Sequence, residues 1–394
     1  MKVLVIDVET TTKNKGHPFT EENKLCTVQL YSSVTKQPEI FRIEYDDQPY
    51  GGACSRIAEL IQGHDLLVGF NIKFDLHWLR RYGISCFQEK EIWDCQLADY
   101  ICSRQEHRVS SLDEVCDFWG IEGKTHEVER YWDHGVDTPD IPWEVLSSYA
   151  LNDVVITWNL FCAQCEALAE KNNMYNLILI DGQDLLALEE IEWNGLKWNR
   201  EGAEVHAQSI QSELSSLADN INRYLPEGIG RDLSPTSNDD ISALLYGGIL
   251  EWEEQEDYLF TYKDGRTKIK SRRIPKATTL PGFCKPLART EVKKGGYYQV
   301  GEDVLLNLRE FYDKRGRDLI KLILEYREKS KLVGTYLLGL SSKIDEMGWR
   351  DSMLHGNLNQ TVTRTGRLSS SNPNQQNMAG DVKEFIVTRY ANQS

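Results

Sequence analysis

Two acidic residues stand two apart at the end of an apolar run, Val3-Leu4-Val5-Ile6-Asp7-Val8-Glu9-Thr10. Side chains alternate along a strand, so Asp7 and Glu9 point to the same side. Like charges placed there are unfavourable unless neutralised, and a hard divalent cation takes carboxylate oxygens. Asp75 falls near the start of an expected helix over residues 72–81. Asp153 follows Tyr149 by one turn on a longer expected helix, so both project from one face. Singly, each has an ordinary reading: a solvated strand end, an acid favouring a helix start, a packed tyrosine with a capping aspartate. Taken together, four carboxylates on a strand and two helices suit two ions roughly 3.5–4 Å apart, which hold the attacking and leaving oxygens of an in-line phosphoryl displacement. Carboxylate donors select Mg²⁺, with Mn²⁺ as a substitute, over Zn²⁺.

The elements that position these groups are read from periodicity. The opening run reads as a strand buried on both faces. Residues 27–31 and 38–43 read as two more strands in a meander with it, and Ile57 to Ile61 starts a short helix. Another buried strand, residues 65–71, runs into the helix carrying Asp75, which Gly83 closes. Helices are expected over 94–102 and over 110–119, the second capped by Ser111. Pro142 opens a helix that reaches about Ala169.

With 394 residues, two or three domains are expected. No apolar run reaches the roughly 18 residues that span a bilayer. Met1-Lys2 leads straight into the first strand, so no targeting peptide is expected. Nine cysteines, an odd count scattered along the chain, indicate reduced thiols and a cytoplasmic location. The net charge of −16 is unevenly spread: residues 1–170 carry −14, residues 171–260 carry −13 and residues 261–394 carry +11. That split points to a polyanion-binding face in the last third.

Beyond residue 170, a helical stretch over 181–193 breaks at Gly195. Residues 201–224 read as an amphipathic helix with Val205, Ile210, Leu214, Leu217 and Ile221 on one face. A short helix over 239–246 ends at Gly247-Gly248. Glu251 to Asp257 reads as a solvated acidic segment. Tyr258 to Tyr298 reads as a basic insertion with a hairpin turn at Lys263-Asp264-Gly265-Arg266, either lying along a phosphate backbone or standing as an arm without a contact. Residues 304–341 read as mostly helical. The polar run from Thr365 to Asn377, with Arg364 and Arg367 in and before it, suits a duplex backbone and minor groove.

Asp7-x-Glu9, Asn71-x-x-Phe74-Asp75 and Tyr149-x-x-x-Asp153 resemble, in order and spacing, the three motifs of DEDDy-type 3′–5′ exonucleases. The resemblance implies a ribonuclease-H-like α/β domain, a mixed sheet flanked by helices, over 1–172. It also implies that Asp7 bridges two Mg²⁺ ions, that Glu9 and Asp153 complete one site and Asp75 the other, and that Tyr149 orients the attacking water. Asn71 and Phe74 would contact the single-stranded 3′ end. Thr365-Gly366-Arg367-Leu368-Ser369-Ser370 followed by Pro373-Asn374-Gln375-Gln376-Asn377 resembles a family A DNA polymerase signature, with Gln375 departing from the family's leucine. Residues 326–336 resemble that family's thumb helix. Residues 173–394 would then be an incomplete polymerase domain: a mainly helical thumb, the basic insertion and the start of a palm. Arg327 and Lys331 would touch DNA phosphates of a primer–template duplex. Thr365, Arg367, Asn374, Gln376 and Asn377 would bind DNA near the primer end, the last four in the minor groove. The expected function is the proofreading exonuclease and DNA-holding half of a split polymerase, unable to polymerise alone, with a second polypeptide carrying fingers and remaining palm. The alternatives are a free-standing 3′–5′ DNA exonuclease and a non-catalytic DNA-binding subunit.

Overall fold

A five-stranded mixed sheet organises the first part of the chain in the computed structural model, which describes residues 1–45, 51–123, 126–227, 229–263, 265–287, 290, 292, 296–309 and 313–389. Its strands are β1 (Val3–Thr10), β2 (Leu25–Ser32), β3 (Pro38–Arg42), β4 (Leu66–Gly69) and β5 (Glu91–Asp94), in the order β3-β2-β1-β4-β5. The first three form the expected antiparallel meander, while β4 and β5 add in parallel. β1 is therefore an inner strand, and its unbroken apolar run feeds two cores. Leu4, Ile6 and Val8 enter one, Val3 and Val5 the other.

Among the described residues, seven α-helices accompany this sheet: α1 (Gly51–Gln62), α2 (Lys73–Arg81), α3 (Cys95–Cys102), α4 (Leu112–Trp119), α5 (Glu127–Asp133), α6 (Trp143–Ala167) and α7 (Asn172–Asn194). Ser111 caps α4 in a full capping box with Glu114. The sequence reading began a helix at Asp94 and missed β5. That strand offers only Ile92 and Trp93 as an apolar signal, and Asp94 ends it while capping α3 through the Gln96 and Leu97 N–H groups. α7 is longer than expected and lies against β5, where Gly182 lets the helix approach the Ile92 carbonyl.

By internal contacts the chain divides into two units, Met1–Asn199 with Leu340–Ser394, and Arg200–Gly339. The first also holds β6 (Leu196–Trp198). The second contains α8 (Arg200–Asn222), α9 (Asn238–Tyr246), the hairpin β7 (Gly248–Thr261) and β8 (Thr267–Leu280), α10 (Glu302–Arg309) and α11 (Lys314–Lys331). Its core gathers Ile221, Ile241, Leu244, Leu305, Leu319 and Ile323.

Two sequence expectations fail in this unit. Val205 is 62% exposed on α8, because the buried stripe runs through Ala203, Ala207, Ile210, Leu217 and Ile221. Small alanines define that stripe, and Val205 lies two residues, about 200°, from Ala203. The acidic segment 251–257 is not merely solvated: it is the middle of β7. Its register sets Glu256 opposite Arg272 and Gln255 opposite Arg273. Arg272 pairs with Glu256 at 2.7 Å, Arg273 with Glu253 at 3.3 Å and Lys276 with Glu254 at 3.8 Å. Arg272, Arg273 and Lys276 of the expected basic insertion are thus neutralised by the neighbouring strand. Arg289, Lys293, Lys294 and the turn residue Asp264 lie outside the described residues.

The last stretch returns to the first unit with α12 (Leu338–Met347, in this unit from Leu340), β9 (Met353–Leu354), β10 (Asn357–Asn359), β11 (Ser369–Ser371), α13 (Gly380–Lys383) and β12 (Ile386–Val387). β9 and β12 flank β6, and β10 pairs with β11. Among the described residues no helix is long and apolar enough to cross a membrane.

Candidate active site

β1, α2 and α6 carry the acidic groups. Asp7, Glu9 and Asp153 each offer a carboxylate oxygen within 4.8 Å of the others. Glu9 and Asp153 are buried, and Asp7 is partly open. α6 lies across β1, β2, β3 and β4, which brings its inward face, Tyr149 and Asp153 included, over the end of β1. Asp75 is buried on α2. Burial and the negative Asp7 carboxylate hold its carboxyl well above the usual range, and hydrogen bonds from backbone N–H groups only partly offset this. Asp75 therefore lies within electrostatic reach of Asp7, beside the Asp7–Glu9–Asp153 cluster, and all four side chains offer oxygen donors. That donor chemistry fits hard divalent cations.

Two supporting residues escaped the sequence reading. Gln29 faces Asp7 across the β1–β2 pair, and its side-chain N–H donates to Asp7 Oδ2 at 2.5 Å. Asp94 accepts from the Asn71 N–H at 3.2 Å and the Ile72 N–H at 2.9 Å while capping α3. It thereby fixes the turn from β4 into α2, where Asn71 adopts φ +56°, a left-handed conformation that asparagine tolerates. An aspartate immediately before a helix was the available signal for Asp94; Gln29 carried none.

Tyr149 is buried, its ring edge-on to Trp132 at 6.0 Å and packed near Val128, Ile141 and Leu146. Asn71 and Phe74 line a cleft of about 450 Å³ together with Lys73, Asn357, Asn359 and Asn372. Beneath the cleft is a buried charge network. Glu192 accepts from Lys73 Nζ at 2.6 Å and pairs with His77 at 2.8 Å, and Glu189 pairs with Arg80 at 2.8 Å. The Leu358 N–H donates to Glu192 and the Leu358 carbonyl accepts from Lys73, so β10 is tied to α2 by both backbone groups of one residue.

Residues 1–163 match the 3′-5′ exonuclease family, and residues 278–391 match DNA polymerase family A. The DNA polymerase of Bacillus phage SP01 is 26% identical over 428 aligned residues, covering 98% of this chain and 44% of that relative. The chain carries a 3′–5′ exonuclease domain over 1–163 and a DNA polymerase family A segment over 278–391. A thermostable DNA polymerase I from Thermus filiformis is 43% identical over 93 residues, 24% of this chain and 10% of its own. The solved POL domain of Pol1 from M. smegmatis, in complex with DNA primer-template and dNTP, has the same fold at TM-score 0.66 and 16% identity. It covers 98% of this chain and 55% of that one. The chain thus spans less than half the length of the phage relative.

The polymerase-family residues fall into two groups. Thr365, Arg367, Asn374, Gln376 and Asn377 are exposed around β11. Asn374 Oδ1 accepts from the Gln376 and Asn377 N–H groups at 3.1 and 3.2 Å, and the Thr363 hydroxyl donates to the Arg367 carbonyl at 2.5 Å. Their turns are therefore locally held while Arg367 and Gln376 reach solvent. In the second unit Lys331 is exposed at the end of α11. Arg327, expected at a DNA phosphate, is half-buried and engaged within its own unit. Its guanidinium donates to the Val300 carbonyl at 2.6 Å, the Pro235 carbonyl at 3.0 Å and Asn238 Oδ1 at 3.1 Å. It ties α11 to the segments before α9 and α10.

Proposed function

We propose that the chain is a 3′–5′ exodeoxyribonuclease, hydrolysing the terminal phosphodiester of DNA and releasing nucleoside monophosphates at the Asp7–Glu9–Asp75–Asp153 site. The observation that carries this reading is the convergence of the Asp7, Glu9 and Asp153 oxygens, with Asp75 destabilised as an anion by burial and by Asp7. Asp7 would serve both of two Mg²⁺ ions, Glu9 and Asp153 would hold one of them, and Asp75 the other. When bound, such ions lower the pKa of the attacking water and stabilise the leaving oxygen. Gln29 holds the Asp7 carboxylate in orientation. Tyr149 orients the water through its hydroxyl. Asn71 grips the unpaired 3′ end, and Phe74 stacks on a terminal base.

The functional division we propose is exonuclease over 1–172 and polymerase-family segment over 173–394. In the latter, Lys331 meets a duplex phosphate, and Arg367, Asn374, Gln376 and Asn377, with Thr365 beside them, read the minor groove. A second polypeptide with fingers and the remaining palm is the partner proposed for polymerisation. The family match at 278–391 supports the polymerase-family part of this reading, and primer extension by the chain with and without such a fragment checks the partner.

The deciding experiment is digestion of a 5′-labelled single-stranded DNA oligonucleotide in Mg²⁺ by the parent chain and by Asp7→Ala. A ladder shortening from the 3′ end, abolished by Asp7→Ala and by chelation, is the expected result. No shortening in either Mg²⁺ or Mn²⁺ refutes the reading and leaves a DNA-binding subunit.

A further inference from the structure

The β7–β8 hairpin changes chemistry along its length. Toward its root, Leu250 and Leu280 enter the core of the second unit. In its middle, carboxylates and cations alternate across the pair and bridge one another, ending with Glu256 to Arg272 and with the Ser271 hydroxyl on Asp257. Past this point the acidic strand turns aromatic while its partner stays basic. Residues 258–270 carry four basic side chains and one acidic one. The register sets Tyr258 opposite Lys270 and Phe260 opposite Lys268. Alternation puts all four on one face, and Lys270 Nζ sits 3.6 Å from the Phe260 ring centroid. The Tyr262 ring meets Phe260 edge-on at 5.0 Å, with Lys270 5.4 Å from its centroid.

We propose that this distal end, Tyr258 to Lys270, is a binding site for single-stranded nucleic acid, with Lys268 and Lys270 on phosphates and Phe260 and Tyr262 stacked on unpaired bases. Charge decides the class of ligand. The acidic strand neutralises the middle of the hairpin, whereas the tip presents net positive charge beside aromatic rings, the pairing of features that holds unpaired strands. Bases of a duplex are already stacked and show no face to a ring, so a duplex would use the lysines alone. A protein partner is disfavoured by size. The apolar content of the other face is Leu259 and Ile269, 66% and 67% exposed, against the roughly 800 Å² per partner that a stable protein interface buries. The site is separate from the acidic centre and shares with the exonuclease reading only that the chain meets DNA.

The test uses the full chain in EDTA, where metal-dependent cleavage is silent, and a 5′-fluorescent oligothymidylate followed by anisotropy over a range of salt. Lys268→Ala/Lys270→Ala should weaken binding and flatten the slope of log K against log salt by about 1.4, at about 0.7 per lost phosphate contact on a single strand. Phe260→Ala/Tyr262→Ala should weaken binding by about fivefold or more per stacked ring with the slope unchanged, and should leave binding of a blunt duplex as in the parent. Arg273→Ala, whose partner is Glu253, should leave single-strand binding as it is. All these positions are solvent-facing strand or turn residues, and circular dichroism verifies that each variant is folded. Parental affinity and slope in both tip variants, or no binding of the single strand by the parent, overturns the proposal. Neither result bears on the Mg²⁺-dependent ladder, which depends on Asp7.

Discussion

Acid should destabilise the first unit through His17 and His355. The Phe19 ring stacks on His355 at 3.9 Å with the planes 7° apart, and Trp349 stands between the two histidines at 5.5 and 5.7 Å. Burial pushes His17 down to about 4, helped by the neighbouring His355 and His77. Burial also takes His355 to about 4, although its hydrogen bond with the Glu192 carbonyl, at 2.9 Å, opposes the shift. In the unfolded chain both return to about 6.5. Between those values the unfolded state binds more protons, so stability is fully present above pH 6.5 and is lost as pH falls toward 4. For one histidine the loss between pH 7.5 and 4.5 is about 2.5 kcal/mol. Urea unfolding of the parent and of His355→Phe across that range measures it. Phenylalanine keeps the stack but cannot titrate. Its absolute stability also reflects the lost bond to Glu192, so the pH dependence is the quantity to compare. The variant's curve should be shallower by about 2.5 kcal/mol, with acid-sensitive carboxylates contributing equally to both. Superimposable pH dependences would refute the reasoning.

Two further substitutions probe what positions the site. Glu192, with a side chain only 4% exposed, neutralises Lys73 and His77; Glu192→Gln leaves a buried cation uncompensated and should cost about 3–5 kcal/mol. Thermal unfolding reads this directly, and replacing Lys73 by Met in the same chain should recover much of the loss. Gly182→Ala would set a methyl onto the Ile92 carbonyl oxygen and should cost about 1–3 kcal/mol by forcing α7 off β5. An unchanged unfolding midpoint would mean that the helix accommodates the methyl without moving.

The sequence by itself determined which of the acidic-centre residues share a face, because each pair is tied to a local pattern of period 2 or 3.6. Asp7 and Glu9 share a strand face whatever the sheet does, and Tyr149 and Asp153 share a helix face whatever the helix packs on. The N-cap at Ser111, the antiparallel meander and the break at Gly195 were legible for the same reason: each depends on side chains within a few residues of one another. Tertiary structure decided what depends on partners far along the chain. Gln29 matters only because β2 pairs with β1 in a register that sets it opposite Asp7. Glu192 matters because α7 returns beside α2, 115 residues from the His77 it neutralises. Arg327 carries a motif's expected role, yet three acceptors close around it once α11 is packed. The acidic and basic stretches between 251 and 276 read as two separate surfaces along the chain. Strand pairing joins residues 253–256 and 272–276 into one neutralised ladder, because charge is compensated by distance in space and not by distance in sequence.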